Sequence, residues 1–295
     1  MLPLSRPLLY ETWVRLKWPK VESVTGQVDV VHATGLIPAA TGYPLAVTVH
    51  DLAFAHRPEQ FTRHGARLMR HSLDAIIKRA DIVISSSVAT TNDCVDAGIR
   101  ADRIRQVPLG VDVVEVSAAD IERVRTKYRL PQEFILFVGT LEPRKNLARL
   151  LEAVDQMATL PLVVAGVDGW GDNADLATSN ALLLGFVPDA DLAALYAAAE
   201  VFAYPSEREG FGLPVLEAFA QGTAVVTSRV TSTEEVAGGA AVLVDPFDVS
   251  SIVEGLERAC RDALTLGAAG RERARTMSWK TAAERTSDVY RELAR

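Results

Sequence analysis

Ten short apolar runs, separated by stretches of helical periodicity, constrain the fold of this 295-residue chain more than any other feature. Such alternation argues for parallel sheets built from strand–helix units. The runs fall into two sets. The first comprises Asp29–His32, Leu45–His50, Ile82–Ser85 and Ile104–Val107. The second comprises Phe134–Gly139, Leu162–Ala165, Ala181–Leu184, Val201–Tyr204, Ala224–Thr227 and Ala241–Val244. Between the sets, Pro108-Leu109-Gly110-Val111-Asp112 has the proline and glycine suited to a crossover linker. A hydrophobic fraction of 48% is ample for packed cores, so an α/β fold is expected.

The densest chemistry follows the run Val201–Tyr204. From Tyr204 to Gln221 the chain reads Y-P-S-E-R-E-G-F-G-L-P-V-L-E-A-F-A-Q, an acidic, glycine-punctuated turn leading into a helix that carries Glu217 eight residues after Glu209. Gly210 and Gly212 let the backbone come close to a ligand, and Pro214 suits the first turn of a helix. Free N–H groups at that helix start favour an anionic group, while Glu209 and Glu217 accept hydrogen bonds from hydroxyls. Phosphate beside polyol is the chemistry of a nucleotide sugar. For so short a motif, a solvated turn with two surface glutamates is the alternative.

A second constellation is Val138-Gly139-Thr140-Leu141-Glu142-Pro143-Arg144-Lys145-Asn146. A strand ends at Gly139, and the adjacent cations Arg144 and Lys145 would neutralise a diphosphate, the arginine as a fork and the lysine as a compact charge. Asn146 suits the N-cap of a helix over Leu147–Met157. His50 ends its strand at the edge where doubly wound sheets bind ligands, and His32 stands in a similar place one strand earlier. Gly185-Phe186-Val187-Pro188 closes another strand. Asp189-Ala190-Asp191 reads as the N-cap region of a helix over Leu192–Ala199. No cluster of His, Cys, Asp or Glu has metal-ligand spacing, so neither a metal nor another cofactor is expected.

Together with Gly222–Ser228 and Thr233–Gly238, the Glu-Gly-Phe-Gly-Leu-Pro run and Glu217 resemble the retaining glycosyltransferases of family 4, the large sucrose-synthase and mannosyltransferase-like group. The similarity extends over nearly the whole chain. It implies the glycosyltransferase-B fold, two Rossmann-like domains facing across a cleft. Residues 1–109 would form the acceptor-side domain, 110–278 the nucleotide-sugar-binding domain, and 279–295 a terminal helix crossing back to the first. The first strand and glycine-rich loop usual in the family have no counterpart before Asp29, so the first domain is expected to be truncated and Met1 to be internal to a longer gene product; a naturally trimmed protein with a compromised acceptor site is the alternative.

The resemblance also implies an activity: transfer of a hexosyl group, mannose by the likeness of the Glu-Pro-Arg-Lys-Asn turn, from a GDP- or UDP-linked donor to a glycan or lipid-linked acceptor with retention. It places Lys145 and Arg144 on the diphosphate, Glu209 and His50 on the donor sugar, and Glu217 on the ribose. The backbone of Gly210, Phe211, Gly212 and Leu213 would meet sugar and phosphate oxygens, Phe186 and Val187 the base, and Gly139 and Thr140 the donor. Many relatives have Gly-Arg where this chain has Gly139-Thr140. No carboxylate suits a double displacement, which leaves a same-face route in which the departing phosphate accepts the acceptor's proton. A non-catalytic nucleotide-sugar-binding scaffold is the main alternative, and a nucleotide-sugar epimerase a more remote one.

Charge narrows the partners. The net charge is −7, with 13 basic and 12 acidic residues through Glu115 and 18 basic and 26 acidic after it, so no nucleic-acid partner is expected. Cys94 and Cys260 make no disulfide framework. With no apolar run of roughly 18 residues and no signal-peptide core, a cytoplasmic protein is expected. Peripheral contact with the inner membrane face is the further expectation, through Arg63, Arg67, Arg70, Lys78 and Arg79 with His64 and His71. In that segment Ala66, Leu68, Met69, Leu73, Ile76 and Ile77 recur at helical spacing. Ordinary packing of the same helix on the sheet is the alternative.

Overall fold

The structure, a computed structural model, describes residues 4–167, 169 and 181–295. The chain forms two compact units, one made of Met1–Leu109 with Lys280–Arg295, the other of Gly110–Trp279.

The first unit is built on β1 (Val31–Ala33), β2 (Leu45–Val49), β3 (Ile82–Ser85) and β4 (Ile104–Gln106), all parallel and in the order β1-β2-β3-β4. Strands β2 and β3 are buried along their whole length, which is why they read as unbroken apolar runs. Helix starts follow local chemistry: the hydroxyls of Thr62 and Ser87 accept from the backbone N–H groups of Gly65 and Thr90. The helix Arg63–Arg79 turns Leu73 and Ile76 into the core with Val47, Val49 and Val83, and Met69 and Ile77 pack against it. Its apolar side is therefore committed to the sheet. Arg79 is also engaged, donating to the carbonyls of Trp13 (2.9 Å) and Ala39 (2.6 Å), whereas Arg63, Arg67, Arg70 and Lys78 remain exposed. No helix among the described residues is long and apolar enough to cross a membrane.

The terminal helix Trp279–Leu293 completes this unit from the far end of the chain. Ala282 and Val289, with Leu293, pack on Ile82, Ile84 and Val107. His32 bridges helix and sheet, its Nδ1 lying 2.7 Å from the Tyr290 hydroxyl and its Nε2 2.8 Å from Thr48 Oγ1. Burial, helped by nearby His50, pushes the His32 imidazole below its ordinary value. Both ring nitrogens are thus engaged, Nδ1 with the helix and Nε2 with β2. On β4, at the other edge of the sheet, Arg105 pairs with Glu292 of the same helix.

The second unit contains β5 (Ile135–Val138), β6 (Leu162–Ala165), β7 (Ala181–Gly185), β8 (Val201–Tyr204), β9 (Ala224–Ser228) and β10 (Val242–Val244). All neighbours are parallel, in the order β10-β9-β8-β5-β6-β7. Counted within the unit this is the doubly wound order 3-2-1-4-5-6, whose direction reverses between β5 and β8. A row of fully buried aromatics runs through it: Tyr196 meets Phe202 edge-on at 5.2 Å, Phe202 stacks on Tyr204 at 5.7 Å, and Phe137 lies 6.0 Å from Tyr204. Burying each such ring contributes about 1.5–3 kcal/mol. At the strand ends, Gly166 allows β6 to crowd β5, since a Cβ there would lie 1.9 Å from the Gly139 oxygen.

Two local expectations are corrected. Asn146 does stand before the helix Leu147–Met157, but it has φ +62° and its side chain makes no cap. Its amide donates instead to the carbonyls of Pro205 (2.9 Å) and Pro246 (2.6 Å), so tertiary partners outcompete the local one. The helix expected from Leu192 begins at Asp189. Asp191 is no cap either: it is buried and accepts from Lys127 (2.6 Å), Tyr128 (2.6 Å) and Arg123 (2.5 Å), tying this helix to Ala118–Tyr128. Those three bonds, that of Lys127 foremost, hold the Asp191 carboxyl well below the usual carboxylate range.

Candidate active site

The reversal between β5 and β8 is the kind of place where a doubly wound sheet binds ligands at the carboxyl ends of its strands, because the following connections leave toward opposite sides. Two turns from the sequence meet there. After β5 the chain passes through Gly139 to a short 3-10 turn, Pro143–Lys145, carrying Arg144 and Lys145. After β8 it runs from Tyr204 through Pro205 to Glu209 and on to the helix Leu213–Gln221. The Glu207 N–H donates to the Arg144 carbonyl at 2.8 Å and fastens one turn to the other. Asn146, bound to the Pro205 carbonyl, adds a second tie.

Glu209 is the centre of the cluster. Its Oε1 accepts from Lys145 Nζ (2.7 Å) and the Tyr204 hydroxyl (3.0 Å), and its Oε2 from Arg144 Nη1 (3.0 Å). Lys145 Nζ also donates to the Tyr204 hydroxyl, and Arg144 Nε donates to Glu142 Oε2 at 2.8 Å. The Glu209 side chain is only 8% exposed, the Lys145 side chain 10% and that of Arg144 20%. Burial pushes the Glu209 carboxyl upward, but the Lys145 and Arg144 cations outweigh it and keep it below its ordinary value. The Tyr204 phenol is pushed far above its own, by burial first and by the Glu209 carboxylate second. The cluster is therefore a matched set of cations and carboxylates with a neutral hydroxyl between them.

The glycines of the Glu-Gly-Phe-Gly-Leu-Pro run have structural reasons. Gly212 has φ +107° and precedes the helix; a Cβ would lie 2.7 Å from Thr233 Cγ2. Gly210 and Phe211 are buried, and the Glu209 carbonyl accepts from Ser232 Oγ at 2.7 Å. The loop is thus pinned from behind, and the N–H groups of the helix start at Leu213 lie at its end.

Of the residues singled out from sequence, Arg144, Lys145 and Glu209 are brought into contact, and a side chain at Gly139 would come within 4 Å of the Tyr204 ring and Lys145 Cε. Glu217 stands one helical turn beyond Leu213 and, with Leu213, Tyr196, Asp189 and Trp279, lines a cleft of about 320 Å³. Its Oε2 accepts from the Tyr196 hydroxyl at 2.8 Å, and burial raises its carboxyl above the ordinary value. At the end of β7, Phe186 is 70% exposed while Val187 is buried. Thr140 is half-buried in the turn after β5. His50 belongs to the first unit, where its exposed ring places Nε2 3.1 Å from the Thr34 carbonyl. Two members of the cluster were missed, Tyr204 and Glu142. A tyrosine as the last residue of a fully buried strand was the signal for the first, since its hydroxyl needs a partner. Among the described residues no group of three His, Cys, Asp or Glu side chains could hold a metal ion.

Comparison with known proteins bears on this arrangement. The family model described as glycosyl transferases group 1 matches residues 119–277, and that of glycosyltransferase family 4 matches residues 2–115. The chain is 35% identical over 265 residues to the O-antigen chain mannosyltransferase B of Escherichia coli, covering 83% of this chain and 70% of that protein. Among solved structures, sucrose-phosphate synthase from Thermosynechococcus elongatus matches with a TM-score of 0.78 at 24% identity, over 98% of this chain and 80% of its own. Anabaena Alr3699/HepE, solved with UDP and glucose, matches with a TM-score of 0.77 at 19% identity, over 92% and 80%. At such identities the likeness is one of fold, here the glycosyltransferase-B fold. With both family models matched and a mannosyltransferase more than a third identical, the chain belongs to the group 1 and family 4 glycosyltransferases.

Proposed function

We propose that this glycosyltransferase moves a hexosyl group, mannose first among the candidates, from a nucleotide diphosphate sugar to a hydroxyl of a glycan or lipid-linked acceptor, with retention of configuration. The observation that carries the reading is the cluster of Lys145, Arg144 and Glu209 at the strand-order reversal, where a doubly wound sheet binds its ligand. Mannose is favoured by the E. coli relative, named a mannosyltransferase; the UDP in the Anabaena structure keeps a uridine donor open.

In this reading the diphosphate takes the place of the Glu209 carboxylate on Lys145 and Arg144. Glu209 then turns to the hexose hydroxyls, for which an ionised carboxylate is a good acceptor. As the bond from the anomeric carbon to the diphosphate lengthens, negative charge grows on the departing oxygen. Lys145, Arg144 and the helix start at Leu213 meet that charge in a largely buried site, where oriented charges act more strongly than in water. The acceptor oxygen attacks from the side the phosphate leaves, and its proton passes to the phosphate. Glu217 holds the ribose, the backbone at Phe186 and Val187 the base, and Gly210, Phe211 and Gly212 the sugar and phosphate oxygens. His50, by the family resemblance, contributes a contact to the donor sugar.

The test is turnover. Purified protein is incubated with GDP-mannose or UDP-glucose, with and without mannoside acceptors, while released nucleoside diphosphate is assayed and the product's anomeric configuration is read by proton NMR. Transfer with the donor's configuration preserved is expected. Nucleoside diphosphate binding without turnover of any donor would establish the scaffold reading instead.

A further inference from the structure

Tyr204 is the least explained member of the cluster. It is completely buried, and its neighbours in the aromatic row, Phe137 and Phe202, show that packing there calls for a ring and not for a hydroxyl. The hydroxyl nevertheless makes two bonds, accepting from Lys145 Nζ and donating to Glu209 Oε1 at 3.0 Å. A buried phenol that found no partner would be costly, and a phenylalanine would have avoided the problem.

The three groups differ in how firmly they are held. Lys145 reaches the site on a long flexible side chain, and Glu209 stands on a loop beside Gly210 and Gly212. Tyr204 alone is anchored in a strand, with its ring between Phe137 and Phe202 and its carbonyl accepting from Thr227 Oγ1 at 2.9 Å. Lys145 has three protons. Two go to Tyr204 and Glu209, which leaves one directed away from both. Because the phenol is held far from ionisation by burial, it donates to Glu209 throughout the working pH range.

We propose that Tyr204 is a positioning residue: its strand-anchored hydroxyl aligns the Lys145 ammonium and the Glu209 carboxylate relative to each other, and so registers diphosphate against hexose. This rests on the roles given above to Lys145 and Glu209. When the donor enters and the Lys145–Glu209 contact opens, Tyr204 keeps one bond to each and holds the gap between them. The hydroxyl thus serves the alignment needed for transfer and adds little to holding the nucleotide.

The experiment is Tyr204→Phe in the full chain, with transfer kinetics, nucleoside diphosphate calorimetry and thermal melting compared with the parent protein. Loss of alignment should lower kcat roughly 10-fold, with donor KM and nucleoside diphosphate affinity within about twofold. The melting temperature should hold, because the ring is retained. An unchanged kcat beside an active parent overturns the proposal, as does a fall in nucleoside diphosphate affinity equal to the fall in kcat.

A measurement free of turnover separates this from the functional reading. Carboxyl carbon-13 NMR, with the Glu209 resonance assigned from Glu209→Gln, follows the titration of that carboxyl. It faces Arg144 and Lys145 from the turn after β5, with Glu142 behind Arg144, Tyr204 from β8 and the Ser206 hydroxyl just after that strand; the helix Ser232–Ala237 gives the Ser232 hydroxyl to the Glu209 carbonyl. Removing the phenolic donor should shift the Glu209 titration upward. An unmoved titration overturns the proposal whatever the protein transfers. A moved titration in a parent protein that turns over no donor supports the alignment and sinks the transfer reading alone.

Discussion

In the first unit the four described strands lie side by side in the order in which the chain makes them, whereas in the second the order of the six described strands, all parallel, reverses between β5 and β8. The ionisable side chains follow that difference. At the reversal, Arg144, Lys145, Glu142 and Glu209 gather in a largely buried network. In the first unit stand His32, within β1 and bonded to Tyr290 and Thr48, and His50, just after β2 and beside a backbone carbonyl. A parallel strand ends in a usable crevice only where its neighbour's connection turns the other way. Two sheets of similar chemistry therefore hold their charge very differently, and the unit with the reversal is the one in which we place the anionic ligand.

The sharpest way to break this contrast is Lys145→Ala. It removes one charge-assisted contact worth about 2–4 kcal/mol in the transition state, hence a loss on the order of 30- to 1000-fold in kcat/KM with the fold intact. Parent-level turnover with the correct donor would mean that the cluster does not hold the diphosphate.

Next in size are the two glutamates. Glu217→Ala should weaken the nucleoside diphosphate by about 1.5–3 kcal/mol, as befits hydroxyl contacts to a charged group. Since burial raises the Glu217 carboxyl, that affinity in the parent protein should fall on acidification from a pH above the usual carboxylate range. Glu209→Gln should instead leave nucleoside diphosphate affinity unchanged or tightened, because it vacates Lys145 and Arg144, while transfer collapses. Calorimetry on both variants decides, and equal loss in the two would end the division of labour.

Smaller, and confined to the second unit, is the effect of Asp191→Asn. Its cationic partners are half exposed, so the expected destabilisation is about 1–3 kcal/mol, below that of a fully buried pair. The folded carboxyl lies below its unfolded value of about 3.9, so its stabilisation is complete above that pH and is lost as the pH falls through the folded value. Hydrogen exchange should show lost protection in the helices Ala118–Tyr128 and Asp189–Ala198 and none in the first unit's sheet. The smallest effect is expected for His50→Ala, a loss of about 1 kcal/mol in transfer with nucleoside diphosphate affinity unmoved. A matching loss of that affinity would show that the first unit shares in nucleotide binding.

The strands were legible because buried parallel strands write themselves as apolar runs: Ile82–Ser85, Leu162–Ala165 and Val201–Tyr204 have the bounds expected of them, as does the helix Leu147–Met157. The turn bearing Arg144 and Lys145 and the loop bearing Glu209 were legible as compositions of charge and glycine. What escaped depends on partners far along the chain. Asp191 has the sequence neighbourhood of a helix cap, but its three donors come from the helix Ala118–Tyr128. Asn146 looks like a cap until the carbonyls of Pro205 and Pro246 claim its amide. Tyr204 has Glu209 only five residues on, but the fold alone brings Lys145, 59 residues earlier, to its oxygen.

The terminal helix has a consequence for how the protein is made. Ala282 and Val289 close part of the core around Ile82, Ile84 and Val107, and the His32–Tyr290 contact spans 258 residues of chain. During synthesis the strands of the first unit therefore emerge before the second unit but lack one wall until Lys280–Arg295 has followed, while the second unit, uninterrupted in sequence, emerges between the two parts of the first. Contacts so distant along the chain close slowly, and apolar surface waiting for them is open to wrong partners. The first unit, although first to emerge, is the last to be completed, and a nascent chain stalled before residue 280 would present a finished second unit joined to an uncovered sheet.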